Sequence, residues 1–329
     1  MSKIANSTIL TIFVLLILSF FLELIGPLFF SDRFYLPDVD KYVNMVEFFR
    51  GNASISDIPQ QFRSRLITPL LASLIPLDSY FSLSIISISF TLLSVLLFYY
   101  FLRSLEYNNK LQILGTLLFM IASPTLIDGS VPMTDSTGLF FVLLSLNIFL
   151  YFEDKFRADL LNGIILSVGM LAREAVLFIV PVLIIWRIID EKIDRKKLLI
   201  DILLLGLMPT VSLILVRIII PTSYTWSIDF SRIDSNISNL FEALCLATIA
   251  QLTLLSVVGF FGNAKNIFKK SKIVWKLVFG ILSFLLYIGY VLLSASISSR
   301  FFWPLFIFVI PLFLFAINEF NDDLNKDNN

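Results

Sequence analysis

The sequence predicts an all-α membrane protein with about ten transmembrane helices and with interfacial helices in a long first outer loop. Of the 329 residues, 57% are hydrophobic and 34 are phenylalanine, and the mean hydropathy is +0.88. One soluble core has no room for that much apolar surface. Apolar stretches near the roughly 20 residues that cross a bilayer recur along the whole chain. We therefore predict a single polytopic membrane domain over residues 1–317.

The predicted spans are separated by short polar clusters. They are Thr8–Phe30, Tyr80–Leu102, Leu111–Ile127, Ser136–Phe152, Leu160–Ala172, Ala175–Ile189, Leu198–Ile220, Leu240–Phe261, Ile273–Ser296 and Phe301–Ile317. The fifth and sixth are short and flank Arg173-Glu174. They are either two helices that meet at a polar break or one long helix, so the count lies between nine and eleven.

The charge pattern gives an expected orientation. With the N-terminus inside, the connections on the other face carry few basic residues, which are Arg173, Arg232 and Arg300 in the short loops. The cytoplasmic connections then carry Arg103, Lys110, Lys155, Arg157, Arg187, Lys192, Arg195, Lys196, Lys197, Lys265, Lys269, Lys270, Lys272 and Lys276. This positive-inside pattern favours ten spans, cytoplasmic termini and the plasma membrane. We expect residues 318–329 to form a disordered cytoplasmic tail and the first span to be retained as an anchor.

Composition also excludes several kinds of chemistry. The chain has no histidine, so catalysis by a Ser-His-Asp triad and histidine metal sites are excluded. Its one cysteine, Cys245, lies in an apolar stretch and predicts neither a disulfide nor a cysteine metal cluster. The sequence contains no glycine-rich phosphate loop and no nucleic-acid-binding patch. Acid–base chemistry is therefore left to Asp, Glu, Lys or Tyr.

The first outer loop, residues 31–79, is the longest connection. Apolar residues recur at helical spacing after Pro37 and predict a helix that lies in the membrane interface, with Asp38 at or just before its start. Asp38 therefore either caps this helix or serves a site. The apolar segment Phe62–Ile75 predicts a second short interfacial helix. Arg63 and Arg65 at its start either anchor the loop to anionic lipid or bind a substrate.

Charged residues from distant parts of the chain are predicted to reach this same outer face, and each also has a structural alternative. Asp128 and Asp135 bracket a tight turn, where Asp135 either caps the fourth span or, like Asp128, binds acceptor hydroxyl groups. Arg173 and Glu174 either face a cavity or form structural ion pairs. Glu23 and Arg217 are candidate partners for such pairs.

Several of these motifs together resemble the glycosyltransferase C superfamily of polytopic membrane enzymes. The acidic motif Asp38-Val39-Asp40 is of the DxD type and stands in the first outer loop, with Tyr42 four residues after its first acid. The segment Phe62-Arg63-Ser64-Arg65-Leu66-Ile67-Thr68-Pro69-Leu70-Leu71 is similar to the arginine-rich, proline-containing segment of bacterial members. Leu171-Ala172-Arg173-Glu174 before Pro181, and Ser299-Arg300 before Pro304, are similar to the polar breaks in their C-terminal halves.

The resemblance implies transfer of a sugar from a polyprenyl-phosphate carrier to a lipid-linked glycan, polysaccharide or protein acceptor on the extracytoplasmic face. It makes Asp38 the base and Asp40 the second candidate. It implies that four arginines hold the donor phosphate: Arg63, Arg65, Arg173 and Arg300. It also implies that four further residues bind the acceptor or support the site: Tyr42, Asp128, Asp135 and Glu174. Most members of the superfamily work without a metal, so we expect no cofactor. The alternative is that the aspartate pair coordinates a divalent cation.

Membrane lipids are the other expected partner, and nucleic acid is not. A multi-pass transporter or flippase is the competing hypothesis, because it too has many spans and charges at membrane depth. The charges here cluster at the outer face rather than at mid-depth, and no two-half repeat is visible, which favours the enzyme. A non-catalytic scaffold is a third hypothesis, under which Asp38 is dispensable. The sugar, the acceptor and the linkage stay open.

Overall fold

The computed structural model describes residues 2–29, 38–190, 195–220, 228–242 and 272–327. Within these ranges the regular structure consists of helices, with no strand. The α-helices are α1 (Ser2–Phe29), α2 (Val39–Phe49), α3 (Ile67–Ser73), α4 (Ser79–Ser104), α5 (Asn109–Ile121), α6 (Ser123–Asp128), α7 (Asp135–Tyr151), α8 (Lys155–Ala172), α9 (Ile179–Asp190), α10 (Arg195–Ile202), α11 (Met208–Ile219), α12 (Arg232–Glu242), α13 (Lys272–Ser294) and α14 (Trp303–Asp327). Short 3₁₀ turns cover Ile55–Asp57, Gln60–Phe62, Glu174–Phe178 and Ser299–Phe302, and a π-helical turn covers Leu203–Leu207.

Several of these helices are long and apolar enough to cross a membrane, which confirms a multi-pass membrane protein. In the described part of the chain there are five: Thr8–Ile25, Ser79–Ser104, Leu198–Ile219, Lys272–Ser294 and Ser299–Asn318. Helices α5 and α7 are apolar but shorter. The predicted third span is divided into α5 and α6, because the backbone of Ala122 is not helical (φ −58°, ψ 135°). Most of the predicted eighth span lies outside the described residues, so the count of ten stays a prediction.

The fifth and sixth predicted spans are two separate helices. Helix α8 ends at Ala172, and Arg173 has an extended backbone (φ −160°, ψ 131°) before the 3₁₀ turn that leads into α9. Near the other ends of the two helices, Arg187 Nη2 of α9 donates a hydrogen bond of 2.6 Å to Asp159 Oδ1 of α8. The start of α8 therefore lies beside the end of α9, and the pair is an antiparallel hairpin whose tip carries Arg173 and Glu174.

This hairpin defines two ends of the bundle. The end that contains its tip, which we call the site end, also holds the start of α7, the turn before α14 and the segment around α2. The opposite end holds the ion pairs Asp159–Arg187 and Lys276–Asp190, the latter with Nζ 2.7 Å from Oδ2. Arg187 and Lys276 were predicted to be cytoplasmic, so the structure separates them from the predicted outer charges. Which end faces outward stays a prediction.

The first loop packs on the protein itself. The predicted helix after Pro37 is present as α2, but its apolar face forms a small core with other parts of the loop and with the turn before α7. This core comprises Val39, Tyr42, Met45, Val46, Ile58, Phe62, Ala72, Leu83, Val131 and Met133. Arg50 ties the end of α2 to the start of α4 by hydrogen bonds to the Ile75 carbonyl (2.7 Å) and the Ser79 hydroxyl (2.8 Å).

A larger aromatic core joins the remaining helices. Trp186 of α9 is fully buried between Phe101, Phe149 and Phe308, with ring centroids 6.1 to 6.3 Å away. Its indole N–H donates to the Lys276 carbonyl at 2.7 Å, so the large ring is buried with its polar atom satisfied. This packing fixes α9 against α13 and α14.

The C-terminal residues continue the last helix. Helix α14 extends to Asp327, so the backbone of residues 318–327 is helical. The cytoplasmic tail predicted for residues 318–329 stays a prediction. The polar sequence Asn318–Asp327 continues the helix of the apolar span that precedes it, which provides the turns on which it extends.

Two glycines of α13 test the packing of the bundle. A Cβ on Gly280 would overlap the Phe308 ring, whereas a Cβ on Gly289 meets nothing within 4 Å. We expect Gly280→Ala to destabilise the protein by about 1–3 kcal/mol, as overpacking does. Gly289→Ala is the matched control and should leave stability unchanged or raise it slightly. Thermal unfolding in detergent measures both, and equal melting temperatures for the two variants would contradict the packing described here.

Candidate active site

Helix α2 presents Asp38 and Tyr42 on one face, because residues four apart lie above one another on a helix. Asp38 makes no capping hydrogen bond through its side chain. Its Oδ2 instead accepts a hydrogen bond of 2.7 Å from Arg300 Nη2, which excludes the simple capping role. Asp40 projects from the other side of α2 and is exposed. The two carboxylates therefore point to different sides of α2, and the expectation that the protein uses no metal stays a prediction.

Arg300 comes from a segment 262 residues away in the sequence. It lies in the 3₁₀ turn that precedes α14, and its Nη1 is 2.9 Å from Met133 Sδ. Its guanidinium carbon is 5.1 Å from the centroid of the Phe301 ring. The arginine is thus held by an anion, a sulfur atom and an aromatic face, and these contacts fix its orientation.

A second ion pair lies on the other side of Arg300. Arg173 Nη1 is 2.6 Å from Asp135 Oδ2, and both side chains are buried. Asp135 is the first residue of α7, but Thr134 is the N-cap, so the capping role considered for Asp135 was wrong. Gly138, one turn further along α7, leaves room for the aliphatic part of Arg173, since a Cβ there would come within 3.1 Å of Arg173 Cβ.

The third group of contacts joins the first loop to the hairpin tip. Arg65 Nε donates to Glu174 Oε2 at 3.0 Å, and Arg65 Nη1 donates to the Tyr42 hydroxyl at 2.6 Å. The Ser64 hydroxyl donates to Glu174 Oε1 at 3.0 Å. Arg65 is buried, so anchoring to lipid headgroups is not its role. Arg217 lies 3.9 Å from Glu174, which confirms that it is an ion-pair partner of the tip.

These contacts keep Glu174 ionised. Burial by itself would raise the pKa of its carboxyl group. The Arg65 guanidinium, the hydrogen bond from Ser64 and the charge of Arg173 outweigh burial, and the pKa of Glu174 is lowered from its ordinary value. Glu174 is therefore a structural anion at neutral pH rather than a proton carrier.

A cleft runs between the second ion pair and Arg300. Its cavity volume is about 20 Å³ and it is partly open to solvent. It is lined by Asp135, Arg173, Arg300, Tyr287 and Trp303 together with apolar residues of α7 and of the hairpin tip. Two guanidinium groups face one cleft here, and Arg300 links it to the carboxylate of Asp38. This combination suits an anionic group that is held next to a carboxylate.

Arg63, Asp128 and Glu23 are among the predicted residues that do not line this cleft. Arg63 Nε donates to the Ile58 carbonyl at 2.8 Å, so its guanidinium supports the loop backbone. Asp128 accepts a hydrogen bond of 2.7 Å from the Ser299 hydroxyl. Glu23, predicted as a partner for the hairpin tip, lies instead beside Asp128 and Gly129, so that prediction was wrong.

Tyr287 and Trp303 were missed by the sequence reasoning. Both stand within or next to apolar stretches, where an aromatic residue carries no signal of a site. Only the position of the Ser299-Arg300 break, just before Trp303, pointed to this region.

A family comparison agrees with this architecture. The sequence profile of the dolichyl-phosphate-mannose-protein mannosyltransferase family matches residues 69–233, about half of the chain. The chain belongs to this family. The family is part of the glycosyltransferase C superfamily, so the resemblance seen in the motifs is confirmed. A comparison with curated proteins gives no match.

Family membership makes the protein a membrane glycosyltransferase that uses a polyprenyl-phosphate sugar. The matched residues include Asp135, Arg173 and Glu174, whereas Asp38 and Arg300 lie outside the match. The roles of individual residues within the cleft stay predictions.

The lowered pKa of Glu174 predicts a pH-dependent stability. Its carboxylate stabilises the folded protein above the ordinary pKa of 4.5, and this contribution is lost as the pH falls through the lowered folded-state value. Glu174→Gln removes the charge at every pH. We expect the variant to melt below the wild type near neutral pH, and the difference to shrink as the pH falls from about 7 to about 3.

Glu153→Gln is the control for this measurement, because Glu153 is exposed in the connection between α7 and α8. It should melt like the wild type throughout. A difference between wild type and Glu174→Gln that stays constant over the whole range would contradict the ionised state assigned to Glu174.

Proposed function

We propose that the protein transfers a hexosyl group from a polyprenyl phosphate to an acceptor hydroxyl on the extracytoplasmic face, with Asp38 as the base. The observation that supports this most directly is the contact of Asp38 with Arg300, one of two arginines at the cleft. The proposed base and the arginine proposed to bind phosphate are in hydrogen-bond contact, which supports the proposal. Sugar transfer from a phosphate carrier needs both.

The reaction proceeds by displacement at the anomeric carbon. The acceptor hydroxyl gives its proton to the Asp38 carboxylate while its oxygen forms a bond to that carbon. The bond from the anomeric carbon to the phosphate oxygen breaks, and the lipid phosphate leaves with the electron pair. Phosphate is a good leaving group, so the enzyme's main tasks are to hold it, to balance its charge and to orient the acceptor.

Arg300 and Arg173 are assigned to the leaving phosphate. A guanidinium presents two parallel N–H groups that match two phosphate oxygens, which an ammonium group does not. Each arginine is paired with an aspartate, so both are held in a defined position before the donor arrives. A phosphate that binds Arg300 competes with Asp38 for its N–H groups and so frees the carboxylate to accept a proton.

Arg65, Tyr42 and Glu174 are assigned to support. Tyr42 lies one helical turn after Asp38, and its hydroxyl accepts a hydrogen bond from Arg65 and another, of 3.2 Å, from the Thr134 hydroxyl. The Tyr42 ring also packs edge-on against Phe62 at 5.4 Å between centroids. These contacts fix the rotation of α2 about its axis and so determine where Asp38 points.

The acceptor is proposed from the family and from the predicted orientation. The family description names a protein as the acceptor and mannose as the sugar. For this chain we propose a glycan, a lipid-linked glycan or a protein that presents a hydroxyl group at the site end. The positive-inside pattern favours an extracytoplasmic position for that end.

Asp38→Asn and Asp40→Asn form a matched pair that tests the base. The purified protein is given polyprenyl-phosphate mannose or glucose with candidate acceptors, and sugar transfer is measured. We expect Asp38→Asn to lose at least about a hundredfold in kcat, as the loss of a general base does. Asp40→Asn should keep about the wild-type rate, since Asp40 is exposed on the other side of α2.

Equal losses in the two variants, or full activity of Asp38→Asn, would reject Asp38 as the base. If the wild type moves the carrier across vesicle membranes without transferring its sugar, the transporter hypothesis replaces the enzyme.

The orientation is tested with single cysteines in a Cys245→Ser background. Ser56 is exposed in the first loop at the site end, and Glu153 is exposed between α7 and α8 at the opposite end. A membrane-impermeant maleimide added to intact cells should label Ser56→Cys, and it should label Glu153→Cys only after lysis. The reverse pattern would place the site end in the cytoplasm.

A further inference from the structure

A carboxyl group is buried inside the first apolar helix. Glu23 stands in the span Thr8–Ile25, and its side chain is only 1% exposed. An ionisable group at membrane depth is costly and is retained where it serves a purpose. The proposed transfer reaction does not use it directly. Among the described residues, Glu23 Oε2 has no hydrogen-bond partner.

Glycine at position 129 makes room for this carboxyl group. A Cβ on Gly129 would lie 2.5 Å from Glu23 Oε2 and 2.6 Å from Oε1. The Gly129 carbonyl is in turn held by the Thr91 hydroxyl of α4 at 2.9 Å. The turn after α6 therefore rests on the Glu23 carboxyl group, which only a residue without a side chain permits at this position.

Asp128 is the immediate neighbour of this contact. It is 2% exposed and close enough to Glu23 for the two carboxyl groups to interact electrostatically. Glu23 and Asp128 thus form a carboxyl pair between α1 and the end of α6.

The carboxyl pair is connected to the cleft through Ser299. Asp128 Oδ2 accepts the 2.7 Å hydrogen bond from the Ser299 hydroxyl, and Ser299 directly precedes Arg300 in the same 3₁₀ turn. Arg300 then pairs with Asp38. A continuous set of contacts therefore runs from the first membrane helix to the proposed base.

We propose that Glu23 and Asp128 together position Arg300 through Ser299 for the donor phosphate. They are positioning residues, since neither touches the reacting atoms. The proposal rests on the transfer function proposed above. It assigns to α1, otherwise a membrane anchor, a part in binding the donor.

A double-mutant cycle between Ser299 and Arg300 tests this coupling. Ser299→Ala should lower kcat/KM for the polyprenyl-phosphate sugar about tenfold, chiefly through KM, because Arg300 loses its fixed position. In an Arg300→Gln background the same change should cost nothing further. Ser299→Thr keeps the hydroxyl group and should restore transfer. Ser94→Ala is the control, because the buried Ser94 hydroxyl donates only to the Phe90 carbonyl of its own helix.

Additive losses for Ser299→Ala and Arg300→Gln would overturn the proposal, because a merely structural effect of Ser299 is independent of Arg300. An unchanged KM for the polyprenyl-phosphate sugar in Ser299→Ala would also overturn the proposal. Size-exclusion chromatography and melting temperatures establish that each variant is folded. If Ser299→Ala does not fold, the donor KM is measured in Ser299→Thr instead.

The part of Glu23 is tested by two substitutions of different size. Glu23→Gln fills the same space against Gly129 and should retain transfer, whereas Glu23→Ala should raise the donor KM like Ser299→Ala. Equal losses in the two variants, or a wild-type donor KM in Glu23→Ala, would reject this part. Asp159→Asn, a buried aspartate at the opposite end of the bundle, is the control for loss of a buried acid and should leave the donor KM unchanged.

A binding measurement separates this proposal from the proposed function. It is the rise in melting temperature that polyprenyl phosphate without a sugar gives to the protein. If the wild type shows that shift but transfers no sugar, the function is wrong. If the wild type transfers sugar and Ser299→Ala shows the full shift, the positioning role is wrong.

Discussion

The site depends on one constraint, which is that charges buried at the end of a membrane bundle must be paired. Three arginines and three acids meet this requirement in the pairs Asp38–Arg300, Asp135–Arg173 and Arg65–Glu174. Removing one partner of such a pair leaves an uncompensated buried charge, at a cost of about 3–5 kcal/mol. Each pair also joins segments that are distant in sequence, so the requirement for pairing fixes how the first loop, the hairpin tip and the turn before α14 assemble.

Pairing also prepares the site for an anion. Replacing a buried ion pair by apolar residues is often neutral or stabilising, so these pairs are not explained by stability alone. They hold two guanidinium groups at a cleft in fixed orientations, which lowers the cost of ordering them when a phosphate binds. Because the arginines already have acidic partners, the proposed mechanism has the incoming phosphate exchange one anion for another, so that the displaced carboxylate is available as the proposed base.

The sequence predicted local features well, because helical periodicity decides which side chains share a face. It placed Asp38 and Tyr42 on one helix and found the break at Arg173, both of which the structure has. It did not distinguish Arg65 from Arg63, since both belong to one motif and only tertiary packing turns one toward Glu174 and the other toward the loop backbone. Nor did it predict the approach of Arg300 to α2 across 262 residues, which depends on packing between helices rather than on any local pattern.

The family match includes some residues of the site and leaves out others. Asp135 and Arg173 lie within the matched residues 69–233, and their ion pair is internal to that part of the chain. Asp38 and Arg300 both lie outside it and pair with each other. Arg65 is also outside the match, but its partner Glu174 is inside. Arg65–Glu174 is therefore one of the ion pairs that join the two portions, and Lys276–Asp190 is another. Because Arg65 also holds Tyr42, it sets the position of α2 and of the proposed base relative to the hairpin tip.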